Sequence, residues 1–277
     1  MRAGIAAKIT RTTFTRWARS NRFTTVTKVL TITVLALLVT SNASGTAVLI
    51  AVSQSRILLA ADGMSIHPRK GLTPAYSRSC KIRQAGDSFL IVIGLEDDPD
   101  TGLNIPQLAR RAFRPAGDLL SHIDAFEKVA NKQIFQTLMY IKTRDPATYS
   151  LLSASPGPPI SIVISGKING TLAVVILEYV EVNGQFRENP RQVSVGSVDP
   201  KYIEVGEVAA MQAYMQNRDL RGMEDVTWFR TLLGVEIDSQ PRTGLKKVGP
   251  PIAILEITII GDRWVDPGAC SDVRSSH

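Results

Sequence analysis

Two apolar runs constrain this chain more than any other stretch: Gly45-Thr46-Ala47-Val48-Leu49-Ile50-Ala51-Val52 and Arg56-Ile57-Leu58-Leu59-Ala60-Ala61-Asp62-Gly63. They are apolar and β-branched, and only Ser53-Gln54-Ser55 separates them, so together they spell a hairpin. The first run opens with a hydroxyl directly after a glycine. The second closes on a carboxylate sixteen positions beyond that threonine. Thr46 is read as a nucleophile that becomes the mature N-terminus, with Asp62 beside it. A threonine hydroxyl attacks poorly alone, but a free α-amine on the same residue can take its proton. That amine has an ordinary pKa of about 8, so it can serve as a neutral base at physiological pH.

What precedes Thr46 has the layout of an export signal: a basic region, an apolar run from Val29 to Val39, then the polar stretch Thr40 to Gly45. Eleven apolar-dominated residues fall short of the about 20 needed to span a bilayer. The expected product is exported, periplasmic or secreted. The basic region is long for a secretory signal, so an uncleaved membrane anchor is the alternative. Ala43 and Gly45 both suit a signal-peptidase site. Cutting after Gly45 frees Thr46 directly, whereas cutting after Ala43 leaves Ser44-Gly45 for self-cleavage. The expected plan is a leader over 1–45, one domain over 46–265 and a loose polar tail over 266–277.

The net charge of +7 belongs to the leader. Residues 1–45 hold seven basic side chains and no acidic one, which leaves 25 of each sign in the remainder. A nucleic-acid footprint needs a basic face on the folded domain, and none is required here. The histidines, His67, His122 and His277, lack ligand spacing, so neither a metal nor another cofactor is expected. Cys80 and Cys270 can pair in an oxidising compartment, although two lone cysteines make no framework and their separation leaves the pairing open.

Downstream, Ser65 to Ser77, holding Pro68, Gly71 and Pro74, reads as a loop. Ser79 to Ala85 and Ser88 to Gly94 read as a second hairpin turning at Gly86-Asp87. The acidic segment Glu96 to Asp100 and a short helix over 105–113 follow. Leu119, Ile123, Phe126, Ala130, Ile134, Leu138 and Ile141 recur at three- and four-residue steps, one stripe of a long helix over Ala116 to Lys142. Phe126 and Met139 are assigned to the core. The Pro-rich stretch Ser153 to Pro159 ends this region. Strands are expected at Ile160–Ile164, Leu172–Leu177 and Gln192–Gly196, with a turn at Asn183-Gly184, and helices at about 199–216 and 223–236. A last strand pair, Ile252–Ile260 and Arg263–Val265, turns at Gly261-Asp262. Segregated blocks of this kind predict two sheets enclosing or flanked by helix layers, an α+β fold, rather than alternating βαβ units.

An unpaired Asp62 at the end of an apolar strand would be costly, and Lys81, with apolar flanks, is its candidate partner. A cation beside Thr46 would lower the pKa of its amine and hydroxyl while Asp62 holds the lysine. A purely structural Asp–Lys pair at strand ends fits the same spacing.

Gly45-Thr46, Ile57 to Gly63, Lys81-Ile82 and Phe89 to Gly94 resemble the catalytic β-subunits of the proteasome and the related bacterial threonine peptidase subunit. The resemblance covers roughly 46–265 and is strongest over 46–94. It implies an N-terminal nucleophile hydrolase: an αββα sandwich of two mainly antiparallel sheets between helix layers, cutting peptide or amide substrates through an acyl-enzyme. In that reading Thr46 attacks, and Asp62 and Lys81 support it. The Thr46–Asp62 distance matches the family's, and Lys81 lies about three residues further along, an offset the loop at 65–77 absorbs. Val193 to Ser197 resembles the strand before the third helix. Ser197 is the nearest hydroxyl to where a serine assists the threonine amine. Gly94-Leu95 falls where the backbone oxyanion donor sits, a leucine standing where a glycine is usual. Val248 to Ile252 with the closing strand pair resembles the C-terminal hairpin, and Leu245-Lys246-Lys247 stands where an aspartate is frequent. A homo-oligomer or ring is implied. Two other readings stay open, a catalytically silent structural or binding subunit and a small-molecule amidase or acylase. Glu96 to Asp100 fits either selection of basic substrate residues or a solvated loop.

Overall fold

The computed structural model of the chain describes residues 45–69, 72–113, 117–153, 157–216, 223–241 and 246–270. The leader ahead of Gly45, Gly71, Leu245 and the tail beyond Cys270 lie outside the described residues. In chain order, β1 (Ala47–Val52) and β2 (Arg56–Asp62) are followed by β3 (Met64–Arg69), β4 (Leu72–Arg78), β5 (Arg83–Ala85), β6 (Ser88–Gly94), β7 (Asp97–Asp98) and β8 (Leu103–Asn104). Helices α1 (Ile105–Ala112), α2 (Leu119–Arg144) and α3 (Pro146–Ser153) come next. Strands β9 (Ile160–Ile168), β10 (Thr171–Val182), β11 (Gln185–Glu188), β12 (Gln192–Val195) and β13 (Lys201–Gly206) follow. Helices α4 (Ala209–Gln216) and α5 (Asp225–Asp238) precede the closing hairpin of β14 (Ile252–Thr258) and β15 (Gly261–Asp266).

A five-stranded sheet has the order β13-β1-β2-β14-β15, and a six-stranded sheet runs β11-β10-β9-β6-β5 with β12 also paired to β10. All these pairings are antiparallel. The strand alternation explains the unbroken apolar runs. Val48, Ile50, Val52, Ile57, Leu59 and Ala61 share a core with Phe89, Ile91, Ile93, Val163 and Val174 of the other sheet. Their neighbours Ala47, Leu49, Ala51, Leu58 and Ala60 instead pack with Phe229, Leu232 and Leu233 of α5. Leu90, Val92, Ile162, Ile164 and Val175 face α2 through Ile123, Phe126, Ala130 and Ile134. A strand buried on both faces has no position left for a polar residue, which is why period-two alternation is invisible in β1 and β2. The result is a mixed α/β fold of antiparallel sheets and helices.

The structure corrects several expectations. Ser65 to Ser77 lies in the β3–β4 hairpin, not a loop. Pro68 falls at the irregular step between His67 and Arg69, where a missing N–H breaks no ladder bond. The stretch 199–216 divides into β13 and α4, so β12, with Val193 and Ser194, is not the strand leading into the next helix. The long helix carries its seven predicted stripe residues buried, but Met139 is 45% exposed. It directly follows the buried Leu138, and one residue is about 100° around a helix of 3.6 residues per turn. The tail is held at its start, since Cys270 is disulfide-bonded to Cys80.

Candidate active site

Register brings the candidate residues together. In the β1–β2 pair Val48 faces Ala61, so one step further sets Ala47 across from Asp62. The Ala47 N–H donates to Asp62 Oδ1 over 3.1 Å. Met64 and Gly249 each donate an N–H to Asp62 Oδ2, again at 3.1 Å. The carboxylate therefore ties the starts of β1 and β3 and the segment entering β14 to one point. On the other side of β1, Thr46 O accepts the Glu207 N–H at 3.1 Å. The peptide unit between Thr46 and Ala47 is clamped at both its oxygen and its nitrogen.

Asp62 is fully buried, and burial pushes its carboxyl up to about 6, while Lys81 and the three N–H donors pull it down. It is chiefly ionised at neutral pH. Lys81 is 8% exposed; burial lowers its ammonium from the ordinary value, and the attraction of Asp62 and Glu96 opposes that shift. The lysine's chain neighbour Cys80 is bonded to Cys270, so the segment carrying the ammonium is fixed covalently to the turn just beyond the closing hairpin. Thr46, Lys81, Gly94 and Leu95 line one cleft of about 500 Å³.

The acidic run forms another part of that cleft. Glu96 is paired with Arg83 at 2.5 Å and Asp98 accepts from Thr101, so part of its charge is already engaged. Tyr140 and Ile141 of α2 with Asp145, Thr148 and Leu151 supply the opposite side. Of these only Ile141 was singled out by the sequence, and then as a core position, because spacing reports only a helix face.

Two expected roles change. Ser197 is not beside Thr46. Its carbonyl accepts the Gln54 N–H at 2.8 Å, at the β1–β2 turn, and its hydroxyl donates to Asp199 O. Thr46 precedes the other end of β1, about 20 Å away at about 3.3 Å per strand residue. The reason is β13, which runs the whole length of β1 with Lys201 opposite Val52 and Gly206 opposite Ala47. The residues it delivers to Thr46 are Gly206 and Glu207. Gly206 has φ of +89°, and a Cβ there would stand 1.9 Å from Thr46 O, so only glycine lets the strands approach this closely. The second change concerns Leu95, whose N–H is not free but donates to Pro159 O over a long 3.4 Å. Gly94, at φ +89°, turns the chain there, with Pro159 O only 2.0 Å from where a Cβ would sit.

Sequence reasoning missed Glu207 and gave Lys247 no role of its own. Their side chains pair at 3.1 Å, Glu207 Oε1 to Lys247 Nζ, both largely buried. They close over Gly45: a Cβ on that glycine would lie 2.3 Å from Glu207 Cγ and 2.7 Å from Lys247 Cβ. The available signal was a Gly-Glu step at the end of an alternating Tyr202-Ile203-Glu204-Val205 run, hidden by the helical reading of 199–216. Among the described residues, no three His, Cys, Asp or Glu side chains are grouped to hold a metal ion, and no helix is long and apolar enough to cross a membrane.

No protein-family model matches the chain, and no curated protein matches it. Among solved structures it is similar to Anbu from Hyphomicrobium sp. strain MC1, at 14% identity and a TM-score of 0.41, over 82% of this chain and 89% of that one.

Proposed function

We propose that this chain is a threonine-type amidohydrolase, activated when cleavage after Gly45 frees the Thr46 amine. The observation that carries the reading is the clamped Thr46 at the cleft wall, with ionised Asp62 behind its peptide unit and buried Lys81 lining the same cleft. The two sheets and their flanking helices are taken as an αββα sandwich of the N-terminal nucleophile kind. Thr46 Oγ1 attacks the carbonyl carbon of a peptide or amide, and its proton passes to the α-amine. The C–N bond then breaks as the leaving amine takes that proton, leaving an ester on Thr46. Water attacks the ester by the same route, returning the hydroxyl. The Leu95 N–H meets the developing oxyanion by exchanging its long bond to Pro159 for a charged acceptor. Export through the apolar leader completes the proposal, and an oxidising compartment suits the buried disulfide.

Thr46→Ala is expected to abolish turnover of peptide and acylated-amide probes while the circular dichroism spectrum stays unchanged; undiminished turnover rejects the mechanism. A silent structural subunit is the second reading, favoured by the burial of Thr46, 2% exposed beneath Gly45, and by the engaged Leu95 N–H. Mass spectrometry of the purified protein separates the two. Residues retained ahead of Thr46 support the silent subunit, and a chain beginning at Thr46 supports the enzyme.

A further inference from the structure

Glu207 and Lys247 form a buried ion pair at the one place where the chain must be cut, and the structural roles of Asp62 and Lys81 leave that pair unexplained. Resting on the amidohydrolase reading, we propose that Glu207 is the residue that orients the freed Thr46 amine as the general base, with Lys247 holding the Glu207 carboxylate in place.

Removing Gly45 vacates the volume into which no Cβ fits, and its walls are the Glu207 and Lys247 side-chain stems. The new α-nitrogen of Thr46 then borders that slot. Glu207 is already fixed there twice, by its N–H on Thr46 O at 3.1 Å and by its ion pair with Lys247. Lys247 is itself positioned by its N–H on Gln240 Oε1, at 2.8 Å, just beyond the end of α5. A base needs a third group that sets its orientation and stabilises the cation it becomes. When Thr46 Oγ1 gives its proton to the amine, the ammonium so formed hydrogen-bonds to the Glu207 carboxylate. That contact is stronger for the ammonium than for the neutral amine, so it acts on the barrier more than on substrate binding.

The paired lysine decides whether this works at neutral pH. A lone carboxylate would hold the amine protonated, and a neutral amine is required for the first step. Lys247 cancels most of that field. The other charges facing the amine are Asp62 and Lys81 beneath it, and Glu178 and Glu204 across a small cavity of about 140 Å³ that Gly45 also lines. The Arg83–Glu96 pair and Asp97, Asp98, Asp100 and Asp145 lie across the main cleft. Glu236 faces Glu207 from α5, with its carboxylate accepting the Ala210 and Met211 N–H groups. Glu207 and Lys247 are the two of these whose stems touch the slot itself.

The test uses the full chain after its own processing, comparing Glu207→Gln and Lys247→Gln with wild type by pH profiles of kcat/KM on a neutral amide probe. The amine pKa is also read directly by NMR of protein labelled with ¹⁵N-threonine, which needs no turnover. Glu207→Gln is expected to lower the amine pKa, moving the acid limb down by about one pH unit, and to reduce kcat by about tenfold to a hundredfold with KM little changed. Lys247→Gln is expected to move the same limb upward by about one unit. Shifts of opposite sign place the amine in the field of this pair, and the loss of kcat with KM little changed is what a merely structural pair does not produce. Limbs and amine pKa values that stay put, or that move together, overturn the proposal while the enzyme stands. A chain that keeps its bond ahead of Thr46 overturns both.

Discussion

At Asp62, three N–H donors from separate segments converge on a carboxylate that has no exposed surface. Burial outweighs those donors and Lys81, so the carboxyl lies at about 6 rather than its ordinary 3.8. A folded-state pKa above the unfolded one means the group favours folding while protonated. Its contribution is complete below about pH 4 and is lost as pH rises through about 6, a swing of about 3 kcal/mol at about 1.36 kcal/mol per unit. Urea unfolding of wild type is therefore expected to show stability falling between pH 4 and pH 7 relative to Asp62→Asn, which cannot titrate. The variant itself is expected to be less stable by about 2–3 kcal/mol at pH 5, because its amide –NH₂ faces a backbone N–H in place of an acceptor. A wild-type stability that rises across the window against the variant contradicts burial as the dominant effect. Thr46, Asp62 and Lys81 were legible as a set because polar residues at the ends of apolar strands must be accounted for. Glu207 was not, since a glutamate after a glycine is ordinary until β13 sets it against Thr46.

Elements show where periodicity suffices and where it does not. Helix α2 announces itself through a stripe of seven residues, all of which are buried. Its start is fixed by Asp118, whose Oδ2 caps the Leu120 N–H at 3.2 Å while Oδ1 accepts the Asn169 N–H of the β9–β10 turn at 2.9 Å. Asp118→Ala breaks both bonds and is expected to cost about 1–2 kcal/mol, measurable as a lowered urea midpoint with an unchanged slope. Asp118→Asn, which keeps a carbonyl acceptor, should recover most of the loss. The stretch from 199 to 216 is the opposite case. Ile203 and Val205 alternate as a strand, yet they run into Val208 and Met211 at helical spacing, so the two periods merge. What separates them is the edge of β1, which offers a full ladder to Lys201–Gly206. That pairing partner is about 150 residues earlier and leaves no local trace.

Across the whole molecule, the Cys80–Cys270 bond links residues 190 apart and closes the described chain from β5 onward into one loop, with β1 to β4 outside it. Loop-closure entropy for that length gives about 5 kcal/mol, and measured disulfides more often return about 2–4 kcal/mol. Replacing both cysteines by serine is expected to reduce unfolding free energy by about 2–5 kcal/mol, read by urea titration. Because Cys80 adjoins Lys81, turnover by the double variant should fall before the fold is lost. The cleft is likewise a property of the whole, built from the residues leading into β1, the β6–β7 connection and the α2–α3 corner.

The amino-acid order by itself determined the opening hairpin, the long helix, the closing strand pair and the choice of Asp62 and Lys81 as the charges to look for near a candidate nucleophile. Each follows from local periodicity or from the cost of leaving a charge at the end of a buried strand. Only the tertiary structure decided that Ser197 stands at the far end of β1, that Leu95 donates to Pro159, and that Glu207 and Lys247 enclose Gly45. Those facts depend on which distant strands share an edge and in what register. A backbone hydrogen-bond ladder uses the same N–H and C=O groups whatever the side chains are, so the sequence carries no direct record of them.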